Sequence, residues 1–242
     1  MDIVSELFEW LPRQGPGSNA TTRKALSLIP SLPKNPRILD AGCGTGLTSV
    51  QLAHQTGGKV SAVDIHKPFL EQVKIYAQLT SLSDNVEICH GSMESLPFRK
   101  ESFDLLWSEG ALYLIGFQKG LAYWRDFLKK GGCACVSELS WLSGERPEEP
   151  KRFWARKYPA MQGIEENLTL TEKAGYKPLH HFILPESDWW ENYYGPMAKR
   201  ISDLKVQSME YAAVLAPFEE EIRLFKNHNA SYGYVFYILQ RA

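Results

Sequence analysis

The sequence has no uninterrupted apolar run approaching the ~20 residues that a membrane-crossing helix needs, and its first residues offer no basic stretch followed by an apolar one. These absences argue against a membrane protein and an exported one, and they predict a cytoplasmic chain. An excess of charge of one sign is missing too, since 27 Lys and Arg stand against 28 Asp and Glu for a net charge of −1. Nothing therefore steers the molecule toward nucleic acid or an anionic lipid surface, and Lys129-Lys130 reads as part of a solvated turn. Cysteine is scarce. Cys43, Cys89, Cys133 and Cys135 each lie in or beside an apolar segment without Cys-x-x-Cys pairing, so buried reduced thiols are expected, and neither a disulfide framework nor a metal site is. Internal repeats and low-complexity tracts are absent as well. With 44% apolar residues in 242, the chain has enough material for the core of one large domain.

What is present is an alternation of short apolar or β-branched runs with amphipathic stretches, the pattern of βαβ units and a parallel sheet. Seven strands are predicted, at 37–40, 59–64, 86–90, 103–108, 133–139, 179–184 and 233–239. A helix is expected over 67–82, where Pro68 suits the first turn and Phe69, Val73, Tyr76 and Ala77 recur at helical spacing. Another is expected from Phe117 to Leu128, closed by Lys129-Lys130-Gly131-Gly132 with bases in its last turn and glycine after it. The division expected is a helical N-terminal segment (1–35), a ligand-binding core (36–140) and cap or insert helices over 141–178 and 185–230. Trp189, Trp190, Tyr193 and Tyr194, with Trp154 and Tyr158, form an aromatic cluster that either packs the cap onto the sheet or lines a pocket.

The chemistry is carried by a strand ending in Asp40 that runs into Gly42-x-Gly44-x-Gly46 and then a helix from about Leu47. Such a glycine turn lies at the carboxyl edge of the sheet, where open α/β folds bind ligands. Asp64 ends the next strand, 18 positions after Gly46, close to the offset of ~20 at which an acid meets the ribose hydroxyls of a bound nucleoside. The alternative for Asp64 is a cap on the following helix. The glycine spacing differs from the Gly-x-Gly-x-x-Gly turn that cradles a pyrophosphate.

At this point the chain resembles the class I S-adenosylmethionine-dependent methyltransferases, and most closely their UbiE-like, type 11 group. Ile38–Gly46 is similar to their first motif and Val60–Asp64 to their second. Gly91–Phe98, Phe103–Ser108 and Leu128–Gly132 resemble the segments around their third, fourth and fifth strands, so the likeness covers roughly residues 36–140. The resemblance implies a Rossmann-like, mostly parallel seven-stranded sheet with helices on both faces, an antiparallel last strand and a small helical cap. It implies S-adenosyl-L-methionine as cofactor, bound by Gly42, Gly44 and Gly46, with Gly42 and Gly44 against the methionine part and Asp40 near its amino group. Asp64 would hold the ribose, and Ile65, Ser92 and Met93 would surround the adenine. Ser92 departs from the aspartate that many relatives carry. Ser108 begins the segment where relatives place the methyl end, and Arg13, in a turn that could fold over the site, would suit the methionine carboxylate.

The implied reaction is in-line methyl transfer to a small-molecule acceptor. Glu109 and Tyr113 are candidates for catalysis, and Glu138, Trp141 and Tyr193 for acceptor contact; each also has a structural reading as helix cap, paired acid or core ring. Neither nucleic acid nor membrane is expected as partner, and oligomeric state is not encoded in any motif. Two rival functions follow from the same sheet. One is a catalytically silent S-adenosylmethionine-binding subunit. The other is a nicotinamide-dependent reductase, disfavoured because its short-chain form needs a Tyr-x-x-x-Lys pair that this chain lacks.

Overall fold

In the computed structural model the described residues are 3–9, 11–208 and 210–242. Seven strands form one sheet: β1 (Arg37–Ala41), β2 (Lys59–Asp64), β3 (Val86–His90), β4 (Phe103–Glu109), β5 (Leu128–Trp141), β6 (Tyr176–Ile183) and β7 (Tyr232–Arg241). Their order is β3-β2-β1-β4-β5-β7-β6. The ladders through β3, β2, β1, β4 and β5 are parallel, whereas β7 is antiparallel to both β5 and β6. Only β7 thus runs against the rest. Chain order reverses on either side of β1, which creates a crevice at the carboxyl ends of β1 and β4.

The central strands are apolar on both faces because helices cover both. Ile38, Leu105, Cys133 and Cys135 pack to one side; Leu39, Leu106, Ala134 and Val136 pack to the other. Successive side chains alternate across a strand, and here each alternate finds a core. The first face carries α3 (Leu47–Thr56) and α4 (Lys67–Leu79), and the second carries α5 (Phe117–Trp124) and α7 (Ile164–Lys173). On the first face the N-terminal α1 (Ile3–Glu9) joins a group made of α6 (Glu148–Lys157), α8 (Glu186–Trp189), a π-helical turn at Trp190–Tyr194, α9 (Gly195–Gln207) and α10 (Tyr211–His228). Helix α2 (Asn19–Ser27) begins at a capping box, in which Ser18 and Thr21 satisfy each other's backbone N–H.

Three expectations need correction. The helix after Phe117 ends at Trp124, followed by a single 3₁₀ turn at Arg125–Phe127, and Lys129-Lys130-Gly131-Gly132 belongs to β5. These four residues bulge out of the ladder, since the register steps from Phe103↔Leu128 to Leu105↔Cys133, and Gly131 takes the positive φ that the bulge requires. The segment 141–178 is not all cap, because α7 lies on the sheet with Leu168 and Leu170 packed into the second core. The edge strand β6 begins earlier than predicted, at Tyr176, whose ring is buried and whose hydroxyl donates to Leu121 O at 3.0 Å.

Candidate functional site

The loop from Gly42 to Gly46 holds three glycines with φ of +74°, +54° and +82°, a region that costs a residue with a Cβ about 1–2 kcal/mol. Their reasons differ. A Cβ on Gly42 would stand 2.6 Å from Ala111 Cβ, and one on Gly44 would stand 2.6 Å from Gln14 Oε1. A Cβ on Gly46 would meet Val73 Cγ2 at 2.5 Å, so this glycine lets α4 pack against the start of α3 and forms no part of the cavity wall. The placement of Gly46 at the cofactor is thereby corrected.

The loop opens onto a cavity of about 440 Å³ whose walls include Asp40, Gly42, Gly44, Asp64, Ile65, Ser92 and Met93. Asp64 sits at the end of β2 because Val60–Val63 are locked in the sheet, and its carboxylate bridges two backbone groups. Oδ2 accepts from Gly44 N–H at 2.9 Å and Oδ1 from His66 N–H at 2.8 Å. Each oxygen keeps a further acceptor position, so organising the local backbone and binding a ligand are compatible. Ile65 is 71% exposed and lines the cavity, an apolar side chain that the fold itself does not cover. Asp40 is 1% exposed and accepts from Ser49 Oγ at 2.5 Å. Burial pushes its carboxyl up to about 7, against the opposing effect of the Ser49 bond. Ser92 Oγ accepts from Glu94 N–H at 3.1 Å, and Met93 O accepts from Trp124 Nε1 at 2.9 Å, which together hold the turn after β3 against the wall.

The N-terminal turn closes one side of this cavity. Gln14 Oε1 accepts from both Thr45 N–H and Thr45 Oγ1 at 3.1 Å, while its amide nitrogen donates to Phe8 O and Leu11 O. Arg13 donates to Glu109 Oε2 at 2.9 Å, Thr48 Oγ1 at 3.2 Å and Asn19 Oδ1 at 3.1 Å. Glu109 Oε1 receives Thr22 Oγ1 and Trp107 Nε1, both at 2.8 Å. Glu109 is thus the buried anchor of a clasp between β4 and the N-terminal turn, and both oxygens are engaged. Ser108, expected beside the cofactor, is fully buried, donates to Ala41 O at 2.8 Å and is absent from the walls of either cavity; its hydroxyl ties β4 to β1.

A second cavity, of about 200 Å³, shares Gln14, Gly15, Pro16, Gly110 and Tyr113 with the first. Its remaining wall includes Phe8, Trp154, Tyr158, Trp189, Tyr193, Phe218, Tyr234 and Glu221. The π-helical turn at 190–194 closes with Gly195 N–H donating to Trp190 O; Tyr193 lines the cavity, and buried Tyr194 donates its hydroxyl to Glu221 Oε1 at 2.8 Å. Trp189 stacks on Phe225 with centroids 4.1 Å apart. Of the four clustered aromatics, Trp189 and Tyr193 line the cavity, whereas Trp190 and Tyr194 pack outside it. Tyr113 stands in the neck, with burial and then the nearby Glu221 and Glu138 pushing its phenol up to about 12.

Glu138 and Trp141 line neither cavity. Trp141 is a core ring set edge-on to Tyr232 with Arg146 over its face, so its expected acceptor contact is corrected. Glu138 is 1% exposed, and neither oxygen has a hydrogen bond of ordinary geometry among the described residues, although the Tyr158 phenol lies close. Burial pushes the Glu138 carboxyl up to about 8. Sequence reasoning missed Gln14 and Glu221. A signal for Glu221 existed, because Phe218, Ile222 and Phe225 set an apolar stripe at helical spacing and Glu221 falls inside it.

Residues 38–132 match a family model described as a methyltransferase domain. The chain is 27% identical over 185 residues to a sterol 24-C-methyltransferase of Gibberella zeae, covering 69% of this chain and 48% of that protein. It is 29% identical over 113 residues to a sarcosine/dimethylglycine N-methyltransferase of Aphanothece halophytica, covering 46% and 41%. The chain therefore spans less than half the length of these curated relatives. Among solved structures, a SAM-dependent methyltransferase of Thiobacillus denitrificans in complex with S-adenosyl-L-homocysteine superposes with a TM-score of 0.85 at 18% identity, over 100% of this chain and 99% of that one. One of Geobacter sulfurreducens gives 0.85 at 17%, over 100% and 98%. At such identities these two comparisons establish the fold.

Proposed function

We propose, for a chain whose residues 38–132 belong to the methyltransferase domain family and whose fold is that of the class I S-adenosylmethionine-dependent methyltransferases, that it transfers a methyl group from S-adenosylmethionine to a small-molecule acceptor. The observation that carries this reading is the pair of cavities meeting at Gly110 and Tyr113, one bordered by the glycine loop and Asp64 and the other aromatic.

The residues present fit the cofactor. Asp64 offers free acceptor positions for vicinal hydroxyls, and exposed Ile65 with Met93 offers apolar surface for an adenine. Gly42 and Gly44 leave the backbone bare where the methionine part would lie, and Asp40 in the cavity wall suits its amino group, whose positive charge favours the ionised carboxylate. Arg13 spends three donors on Thr48, Glu109 and Asn19, which leaves guanidinium N–H groups for a carboxylate. When bound, S-adenosylmethionine supplies a methyl group on a positive sulfonium.

The chain's own part is placement. Gln14, Gly15 and Pro16 border both cavities, while Gly110 and Tyr113 define the passage through which an acceptor atom reaches the methyl. Orientation of this kind contributes about 7–11 kcal/mol of barrier lowering. Glu109 contributes as the anchor of the N-terminal turn, through Arg13, and Tyr113 by shaping the passage with a phenol that stays protonated.

Calorimetric titration of the purified chain with S-adenosylmethionine and with NADH tests the donor, and incubation with a labelled methyl donor and a metabolite extract tests transfer. Binding of S-adenosylmethionine together with a labelled small-molecule fraction is expected. Binding without any labelled fraction would identify a silent subunit, and tight NADH binding without response to S-adenosylmethionine would replace the reading with the reductase.

A further inference from the structure

The smaller cavity has a charge and shape that select its occupant. Glu221 forms part of its wall from α10; Oε1 accepts from Tyr194, and Oε2 has no hydrogen-bond partner among the described residues. Around it stand the rings of Trp154, Tyr158, Trp189, Tyr193 and Phe218, whose faces carry negative electrostatic potential. Among the described residues no arginine lines the wall, and its single lysine, Lys157, is exposed. A volume of about 200 Å³ is small, given that an apolar cavity of roughly 150 Å³ accommodates one benzene ring.

Resting on the assignment of this cavity to the acceptor, we propose that the acceptor is a small basic amine, with one ring or a few carbons on its nitrogen, recognised as a cation by Glu221 and the surrounding aromatic faces. A diphosphate or carboxylate would place its charge against Glu221 and the ring faces. A tetracyclic body exceeds the space.

Glu221 suits both stages of such a reaction. Burial, opposed by the Tyr194 bond and by Lys157, pushes its carboxyl up to about 7, so it exchanges a proton with a bound amine near neutrality. The ammonium loses a proton to the carboxylate; the freed nitrogen lone pair forms the N–C bond as the C–S bond breaks, its electron pair remaining on sulfur. The positive charge passes from sulfonium to the methylated nitrogen.

The test uses the full chain without cofactor and two probes of nearly the same shape, choline and its neutral carbon analogue 3,3-dimethylbutan-1-ol. Choline is expected to bind at least tenfold more tightly by calorimetry, and Glu221→Gln to remove that preference while leaving the affinity for S-adenosylmethionine within twofold. Equal affinities, a preference for the alcohol, or binding of neither at millimolar concentration would overturn the proposal on the unmodified protein alone, whether or not the variant folds. A matched panel of amines, alcohols and carboxylates is then offered with S-adenosylmethionine, and S-adenosylhomocysteine is measured; turnover confined to alcohols or carboxylates would also overturn it. A preference for choline in a chain that binds no S-adenosylmethionine would sink the methyl-donor reading and leave the cation site standing.

Discussion

Asp64 illustrates how one side chain is placed to serve the fold and, in the proposed function, the ligand together. Its oxygens already receive the N–H groups of Gly44 and His66, so removing them loosens the glycine loop as well as any ribose contact. Asp64→Ala is expected to weaken S-adenosylmethionine binding by about 1.5–3 kcal/mol, the range for hydrogen bonds to a charged group. The two contributions separate with an analogue lacking the ribose hydroxyls, measured by calorimetry on both proteins: the penalty should largely disappear for it. An undiminished penalty would assign Asp64 to the loop alone. Glu109 stands at the opposite extreme. Thr22 and Trp107 fill its Oε1 and Arg13 takes one position of Oε2, so three of its four acceptor positions are spent on structure although it borders the larger cavity.

At the scale of elements, the turn between β1 and α3 does two jobs with one motif. Gly42 and Gly44 expose backbone to the cavity, whereas Gly46 admits Val73 of α4 to within a distance no Cβ tolerates. Gly46→Ala combines a left-handed φ of +82° with overpacking against Val73, and is expected to cost about 2–5 kcal/mol of stability. Chemical denaturation measures it, and adding Val73→Ala should recover the part due to crowding while the backbone part remains. A double variant no more stable than the single one would show that crowding contributes nothing. The glycine triplet and its strand were legible from residues 38–46 because a strand-to-helix reversal at the sheet edge depends on local backbone freedom. Lys129-Lys130-Gly131-Gly132 was misread for a related reason, since bases followed by glycine suit a helix end as well as a bulge. Only pairing with β4 distinguishes the two.

For the whole molecule, three buried carboxyls set the pH response. Burial raises Glu138 to about 8, and Asp40 and Glu221 to about 7, all above their ordinary values near 4. The folded state therefore holds more protons than the unfolded chain between about pH 4 and 8. The stability due to these groups is fully present below the unfolded values and is lost as pH rises through the folded ones. The thermal midpoint of the cofactor-free protein is expected to fall from pH 6 to pH 9. Glu138→Gln should flatten the upper part of that fall, because Glu138 titrates highest, with burial outweighing the opposing effect of the Tyr158 hydroxyl. A slope unchanged in the variant would remove Glu138 from the account.

The sequence alone determined the sheet, the glycine turn and Asp64, because strand alternation, positive φ and the end of a strand are properties of short segments. The proposal for the donor rests on those same residues. Which aromatics face a cavity, why Trp141 and Ser108 do not, and how Glu221 comes to stand near Tyr113 were decided only in the tertiary structure. The smaller cavity joins the N-terminal turn to α6, the π-helical turn and α10, more than a hundred residues further along the chain, so its shape and charge exist only once those elements pack.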